Sequence, residues 1–272
     1  MSAGRPRRES DAPFLVALGA VAAVYVLLIA GMLAADATFT SVEELGRALK
    51  SPEIRYATRL SFLSCTFTAI LSVWFAVPIG YLMARFRFPG KALVDGVLDI
   101  PIVLPPLVVG LSLLILFQTP PGRALESVAP VTYRVPSVVL AQFAVACAFA
   151  VRTMRVTFDQ IDPRAEAVAL TLGCSRRQAF WYVALPAAGR GALSAGLLAW
   201  ARALGEFGPI LVFSGATRMR TEVLPSTIFL ELSVGRIEAA VAVSLLMVAA
   251  AAAVLVAARA LGLRRPGLEG GA

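Results

Sequence analysis

The chain has 272 residues, of which 58% are hydrophobic and 15% are charged, and its formal net charge is +8. This apolar content excludes an ordinary soluble domain, and the absence of histidine excludes Ser-His-Asp, Cys-His and histidine metal sites. Because Lys and Arg of membrane proteins collect at the lipid surface, we expect the positive charge to face membrane lipid and no nucleic acid.

Six apolar stretches follow one another along the chain, each close to the length that crosses a bilayer as a helix. They cover residues 13–35, 60–84, 100–118, 136–151, 187–214 and 239–258. The fourth is short, and we expect its helix to continue past Arg152. The sequence thus predicts an all-α integral membrane protein with a tail of residues 1–12, a first helix 13–35, a transmembrane core 57–259 and a second tail 260–272.

The first stretch has an alternative interpretation as a signal peptide, because Arg5, Arg7 and Arg8 precede it and Ala35-Asp36-Ala37 resembles a cleavage site. It is longer than the apolar core of such peptides, which spans roughly 7–15 residues. We therefore interpret it as a retained transmembrane helix.

The distribution of Lys and Arg predicts the orientation of the helices. Basic residues cluster before the first stretch and after the second, fourth and sixth. The loops after the first, third and fifth stretches contain Glu as well as basic residues. Because basic loops stay in the cytoplasm, we expect both termini and the loop 152–190 to be cytoplasmic, in a protein of the inner membrane.

Three prolines, Pro101, Pro105 and Pro106, lie where the third stretch begins. Irregular backbone at membrane depth is tolerated only inside protein or beside a water-filled cavity. These prolines therefore either shape a gate or mark a helix that begins late.

The loop 152–190 is predicted to fold as a helix, a turn and a second helix. Asp162 is a good N-cap with a proline after it, and Gly173 is a plausible stop because glycine tolerates the left-handed conformation. Ser175 can cap the second helix, and Pro186 marks the break before the fifth stretch. Taken alone, this segment is either an amphipathic anchor at the membrane surface or a surface for a partner.

Two charged residues, Arg202 and Glu206, interrupt the fifth stretch. They are four positions apart, so they share a helix face and can partly neutralise each other. An Arg at the centre of a span costs about 2.5–3.5 kcal/mol on insertion scales, so we expect such a residue to have a structural or functional role. The pair either fixes helix packing or borders a path for an anion.

The loop also resembles a segment shared by the membrane subunits of bacterial and archaeal ABC importers, whose pattern runs Glu-Ala-Ala, Gly and Ile-x-Leu-Pro. Gly173, Val183, Leu185 and Pro186 fit this pattern in register. Aligned on Gly173, the Glu of the pattern falls at Ala167, while Glu166 sits one position early. Many relatives carry two adjacent acids here, so Glu166 either matches the first of them or lies out of register, and the alignment leaves the salt link credited to that Glu open.

In that family the short helix of the loop docks into a groove on a separate ATPase subunit and transmits its movement to the spans. The resemblance implies two ATPase subunits, a second permease copy and an extracytoplasmic substrate-binding protein as partners. The chain has no G-x-x-x-x-G-K-[ST] phosphate loop. We therefore expect no enzymatic activity and no cofactor in this chain, with ATP and Mg on the ATPase.

The resemblance assigns roles within the loop by residue type. Small residues would let the helix sit close to the partner, arginines would pair with its acidic groups, and Phe180 or Trp181 would fill an apolar hollow. The implied coupling residues are Arg164, Glu166, Ala167, Ala169, Gly173, Arg176, Arg177, Phe180, Leu185 and Pro186.

Three further segments, residues 85–91, 99–106 and 200–208, look like those of permeases for molybdate, tungstate and sulfate, although Pro209-Ile210 departs from the small residues common there. This resemblance implies the type I importer fold and an oxyanion substrate, with molybdate first and tungstate or sulfate next. The residues then expected at the path or gate are Pro101, Pro105, Pro106, Arg202, Gly205 and Glu206.

Three alternatives remain at this stage: an ion-coupled secondary transporter, an ABC permease for a different small solute, and a membrane scaffold. An inverted repeat and buried acids, the usual signs of a secondary transporter, are not evident in the sequence. A structured loop between the fourth and fifth stretches disfavours a scaffold.

Overall fold

A computed structural model describes residues 12–262, and every regular element in that range is a helix. The two predicted tails fall almost wholly outside the described residues. The helices are α1 (Ala12–Phe39), α2 (Val42–Lys50), α3 (Pro52–Arg85), α4 (Lys91–Val103), α5 (Pro106–Gln118), α6 (Pro120–Val128), α7 (Val135–Gln160), α8 (Arg164–Thr171), α9 (Arg176–Ala179), α10 (Leu185–Ala187), α11 (Gly189–Leu204), α12 (Gly208–Phe213), α13 (Leu224–Ser233) and α14 (Ile237–Gly262).

Four of the described helices are long and apolar enough to cross a membrane: α1, α3, α7 and α14. They correspond to the first, second, fourth and sixth predicted stretches, and α7 continues past Arg152 as expected. A fifth span results if α4 and α5 are taken together, although they meet at an angle of 113°. The count of six spans and the cytoplasmic placement of both termini stay predictions.

The third stretch begins earlier than the sequence indicated. Helix α4 starts at Lys91, continues through Pro101 and ends before Leu104, whose backbone is extended. Proline disfavours helical geometry in the residue before it, which accounts for the break at Leu104-Pro105, and Pro106 then opens α5. Pro105 and Pro106 therefore interrupt the helical stretch while Pro101 stays inside α4, and the alternative of a helix that begins late is wrong.

The fifth predicted stretch is not one continuous helix. It is divided into α11 and α12, and the chain leaves helical geometry over residues 205–207. Neither part is long enough to span a bilayer alone, since about 20 residues are needed. The break falls where Arg202 and Glu206 interrupt the apolar run.

Helices α3, α7 and α11 form the centre of the molecule, and small residues let their backbones approach closely. A Cβ at Gly80 of α3 would lie 2.8 Å from Met154 Cβ, and one at Gly191 of α11 would lie 2.2 Å from Thr157 Cγ2. Side chains at either glycine would separate the helices. The end of this bundle that carries α8 and α9 is called the loop end below.

Candidate functional site

The loop between α7 and α11 folds through the local signals that the sequence predicts. The Asp162 carboxylate accepts a hydrogen bond from the Arg164 N–H at 2.9 Å at the start of α8. Gly173 ends the helix with φ of +90°, and the Cys174 N–H reaches back to the Ala169 carbonyl at 3.0 Å. Ser175 caps α9 in a capping box with Gln178. The predicted helix, stop and second helix are confirmed.

The break predicted at Leu185-Pro186 is wrong. The backbone stays helical from α9 into α10 and turns out of the helix only at Ala188. Proline removes a backbone donor, and the chain accommodates it with a π-helical turn, Phe180–Ala184, immediately before it. Leu185 and Pro186 therefore lie inside one helical segment that leads directly to α11.

Arg85, at the end of α3, joins three elements at the loop end. Its Nε donates to Glu166 Oε1 of α8 at 2.8 Å, and its two terminal nitrogens donate to the carbonyls of Phe158 and Ile161 at 2.8 Å each. Tyr81 adds a hydrogen bond to the second Glu166 oxygen at 2.7 Å. The Arg85 and Glu166 side chains are only 12% and 10% exposed.

Glu166 therefore forms a salt link, which the alignment had left open. Its partner lies within the same chain, and the link fixes α8 to the ends of α3 and α7. A guanidinium suits this position because its planar fork serves several acceptors at once. The link therefore ties α8 to two of the long helices.

An aromatic cluster lies beneath this link. The Tyr81 ring contacts those of Phe86, Phe158 and Phe180, with the Phe180 centroid 4.7 Å away. The Arg176 guanidinium lies 5.8 Å from the Phe86 ring centroid. The Phe180 ring thus packs against its own chain, whereas Trp181, the other residue predicted to fill a hollow on a partner, is exposed.

The exposed face of the loop carries both apolar and charged groups. Leu172 is 80% exposed and Tyr182 is 76% exposed, and Val168 and Trp181 are more than half exposed. Other predicted coupling residues are exposed beside them, namely Arg164, Ala167, Gly173, Arg176, Arg177 and Pro186. By contrast, Glu166 and Ala169 face inward, so the close approach expected of Ala169 is to its own chain.

Predicted gate residues come together around a cavity of about 320 Å³ at the breaks between α4 and α5 and between α11 and α12. Its lining includes Pro105, Pro106, Arg202, Gly205 and Glu206. Pro101, which lies within α4, is not among the lining residues. The two interrupted stretches thus meet at one site, as expected where irregular backbone borders a cavity.

Arg202 and Glu206 form an ion pair on this cavity, with 2.6 Å between Arg202 Nη1 and Glu206 Oε1. The Glu206 side chain is 1% exposed, and this oxygen accepts no hydrogen bond of regular geometry from the described residues, so the ion pair with Arg202 is its charge compensation. The Arg202 guanidinium is 29% exposed and lies 5.6 Å from the centroid of the Phe149 ring. One face of the cation therefore remains accessible from the cavity.

Gln142, in the middle of α7, holds the broken end of α11 next to this pair. Its side-chain nitrogen donates to the Ala203 carbonyl at 3.3 Å, and its oxygen accepts from Thr68 of α3 at 3.2 Å. Because α11 ends at Leu204, the Ala203 carbonyl has no regular helical partner and accepts instead from the Glu206 N–H at 3.2 Å. Gln142 supplies its second hydrogen bond, from within the bundle.

Replacing Gln142 with leucine is expected to lower the free energy of unfolding by about 0.5–1.5 kcal/mol, because the buried Ala203 carbonyl and Thr68 hydroxyl would each lose one of their two hydrogen bonds. Thermal unfolding of the purified protein in detergent measures this. Cys65→Ala, next to the same amide, is the matched control and should change stability less. An unchanged unfolding midpoint for Gln142→Leu would show that the clamp contributes nothing.

A second group of ion pairs ties α4 to α7 at the loop end. Arg152 donates to both Asp99 oxygens at 2.9 Å, and Arg155 pairs with Asp95. None of the α4 residues is fully buried, so these ion pairs form much of its attachment to the bundle. Helix α4, whose end borders the cavity, is therefore fixed to α7 by these ion pairs.

Sequence reasoning placed Arg85 within a motif but gave it no role, and it missed Tyr81 and Gln142 entirely. A signal for Gln142 was present, because a polar side chain in an apolar span needs a partner. Tyr81 carried no such signal, since tyrosine is common near the ends of membrane helices.

The chain is similar in sequence to known membrane components of transport systems. A family model described as the binding-protein-dependent transport system inner membrane component matches residues 76–265. The molybdate/tungstate transport system permease protein WtpB of Thermococcus kodakarensis is 37% identical over 207 residues, which cover 76% of this chain and 79% of that protein. The sulfate transport system permease protein CysT of Escherichia coli is 32% identical over 206 residues, 74% of each chain.

Among solved structures, a chain of a bacterial alginate ABC transporter, crystallised with an alginate pentasaccharide-bound periplasmic protein, is similar with a TM-score of 0.73. The match covers 92% of this chain and 93% of that one at 14% identity, which shows the fold alone. The predicted resemblance to oxyanion ABC permeases is confirmed by the named relatives. This multi-pass protein of the inner membrane belongs to the family of binding-protein-dependent transport system inner membrane components.

Proposed function

We propose that this chain is the permease subunit of an ABC importer that carries a tetrahedral oxyanion, molybdate first and tungstate or sulfate next. The observation that carries the proposal is the identity of its relatives, since proteins 37% and 32% identical to it are named as molybdate/tungstate and sulfate permeases. The partly exposed guanidinium of Arg202 on the gate cavity supports it, because an anion path favours Arg over bare carboxylates.

In this proposal the exposed face of α8 and α9 docks against a separate ATPase subunit. Leu172 and Val168 supply apolar contact, and Arg164 and Arg177 face acidic groups of the partner. Because Glu166 of α8 is bound to Arg85 of α3, a movement of the docked α8 would be passed to Arg85 through this ion pair. ATP-driven closure of the partners would therefore shift the ends of α3 and α7.

The gate responds through the same helices. α7 carries Gln142, which holds the end of α11, and it carries Arg152 and Arg155, which hold α4. Displacement of α7 would therefore act on both sides of the 320 Å³ cavity at once. This accounts for alternating access without any movement inside the helices themselves.

We further propose that two copies of this chain form the pore, with two ATPase subunits and an extracytoplasmic binding protein. ATP and Mg belong to the ATPase. The alginate transporter of similar fold was crystallised in complex with a periplasmic protein, which supports an external delivery protein for this chain as well. With both termini cytoplasmic, the loop end faces the ATPase.

Uptake by proteoliposomes that contain the whole transporter tests the substrate. Labelled molybdate should enter only with ATP, and excess tungstate or sulfate should compete more strongly than phosphate. Uptake without ATP but with an ion gradient would support a secondary transporter instead. ATP-driven uptake of none of these anions would assign the permease to a different small solute.

Replacing Gly173 with tryptophan is expected to leave the protein inserted but to uncouple it. No described atom lies within 4 Å of a Cβ built at Gly173, so the bulk would project from the docking face. The left-handed backbone adds a cost of about 1–2 kcal/mol. The measurement is ATP-driven uptake relative to the amount of inserted protein.

Gly90→Trp is the matched control, because Gly90 also has a positive φ, of +81°, and also has open space around it. It lies outside the docking face, so this variant should retain uptake. Normal uptake by Gly173→Trp would refute the docking role of the loop.

A further inference from the structure

A second cavity, of about 620 Å³, lies on the outer surface of the bundle between α3, α11 and α14. Its lining is almost wholly apolar and includes Ile70, Val73, Ala192, Gly196 and Val254. The small residues keep it deep, since a Cβ at Gly196 would already lie 3.2 Å from Val73 Cγ2. This groove shares no lining residue with the gate cavity.

The groove has a closed end and a defined length. Trp200 closes it away from the loop end, where its indole N–H donates to the Thr66 hydroxyl at 3.2 Å. From Ala192 to Trp200 the groove follows α11 for eight residues, about 12 Å at the rise of an α-helix. One leaflet of the hydrocarbon core is about 15 Å deep, so the groove matches one leaflet.

A positive charge lies at the other end. Leu193 and Leu197 line the groove, and Arg190 precedes Leu193 by three positions, so it lies on the same face of α11 one turn nearer the loop end. Arg190 is exposed and forms no ion pair with any residue that the structure describes. Because the groove is about as long as one leaflet, a cation just beyond its end would lie at the level of the lipid headgroup phosphates.

We propose that this groove is a binding site for an anionic phospholipid. One acyl chain lies between α3, α11 and α14, its end meets Trp200, and the headgroup phosphate pairs with Arg190. The apolar walls, the length close to that of one leaflet, and the position of Arg190 one turn beyond Leu193 on the same helix face together favour this occupant. Because α11 leads to the gate, the lipid would stabilise the packing of that helix against α3 and α14.

Titration of the full-length purified chain with phosphatidylglycerol, followed by native mass spectrometry, tests the proposal. Phosphatidylglycerol should bind more tightly than phosphatidylcholine of the same chain length. Arg190→Gln should weaken its binding about fivefold, since a basic residue at the surface contributes about 1 kcal/mol. The matched control Arg87→Gln, at another exposed arginine of the loop end, should change it little.

Leu193→Trp tests the groove itself. It adds bulk at a partly exposed position and should remove the bound lipid, whereas Leu63→Trp, on an exposed part of α3, should not. Equal binding by both tryptophan variants, or by both arginine variants, would overturn the site. A photoreactive residue at position 197 should label phosphatidylglycerol in vesicles, and cross-linking to a second copy of the chain instead would overturn the choice of occupant.

Discussion

Replacing Arg85 with methionine is expected to abolish ATP-driven uptake while much of the protein still inserts in the membrane. The change removes the guanidinium that joins Glu166 of α8 to the Phe158 and Ile161 carbonyls of α7. Breaking a buried ion pair by removing one partner costs about 3–5 kcal/mol. The loop would keep its local caps but lose its fixed position, so ATP hydrolysis would continue without transport.

Measuring ATPase activity and uptake in the same proteoliposomes separates these effects. Arg87→Met is the matched control, because Arg87 is exposed and only two positions away, and it should retain both activities. Arg85→Lys should be intermediate, because an ammonium lacks the planar fork that reaches three acceptors. Uptake by Arg85→Met at the wild-type ratio to ATP hydrolysis would contradict the transmission of movement through this residue.

The ion pair at the gate predicts an asymmetric effect of single substitutions. Arg202→Met leaves the carboxylate of Glu206, 1% exposed, without its partner, so we expect a loss of about 3–5 kcal/mol in stability. Glu206→Gln leaves the more exposed Arg202 free and should cost less. Thermal unfolding in nanodiscs measures both changes.

The double variant Arg202→Met with Glu206→Met separates packing from transport. Because apolar residues of similar volume can replace a buried ion pair without loss, we expect stability near that of the wild type. Uptake of the anion should nevertheless stay low, since the cation on the cavity is gone. A stable double variant with full uptake would reduce the pair to a packing element and remove Arg202 from the path.

Local sequence signals predicted the loop well and its long-range contacts poorly. Asp162, Gly173 and Ser175 each act within a few residues, through capping and left-handed backbone, so their roles could be inferred from spacing alone. The link between Arg85 and Glu166 joins positions 81 residues apart. Nothing in either local sequence indicates that α3 and α8 meet, and the alignment left the salt link of Glu166 open.

The same contrast explains the gate. Prolines indicated irregular backbone in the third stretch, and that break is present at Leu104-Pro105. The pair Arg202 and Glu206 was expected on one continuous helix face, but the helix breaks over residues 205–207. That the two breaks border one cavity depends on how α5 and α12 pack, with Pro209 Cα only 2.7 Å from a Cβ built at Gly110. The error at Pro186 had another cause, because the π-helical turn that accommodates the proline has no simple sequence signature.

Anion-stimulated ATP hydrolysis tests the central claim most directly. The chain would be reconstituted in proteoliposomes with its ATPase subunit and binding protein, and given molybdate, tungstate, sulfate and phosphate in turn. We expect molybdate to stimulate hydrolysis most, tungstate or sulfate less and phosphate least, with stimulation lost in Arg85→Met. A complex that assembles and hydrolyses ATP at one rate whatever the anion would contradict an oxyanion permease coupled through this loop.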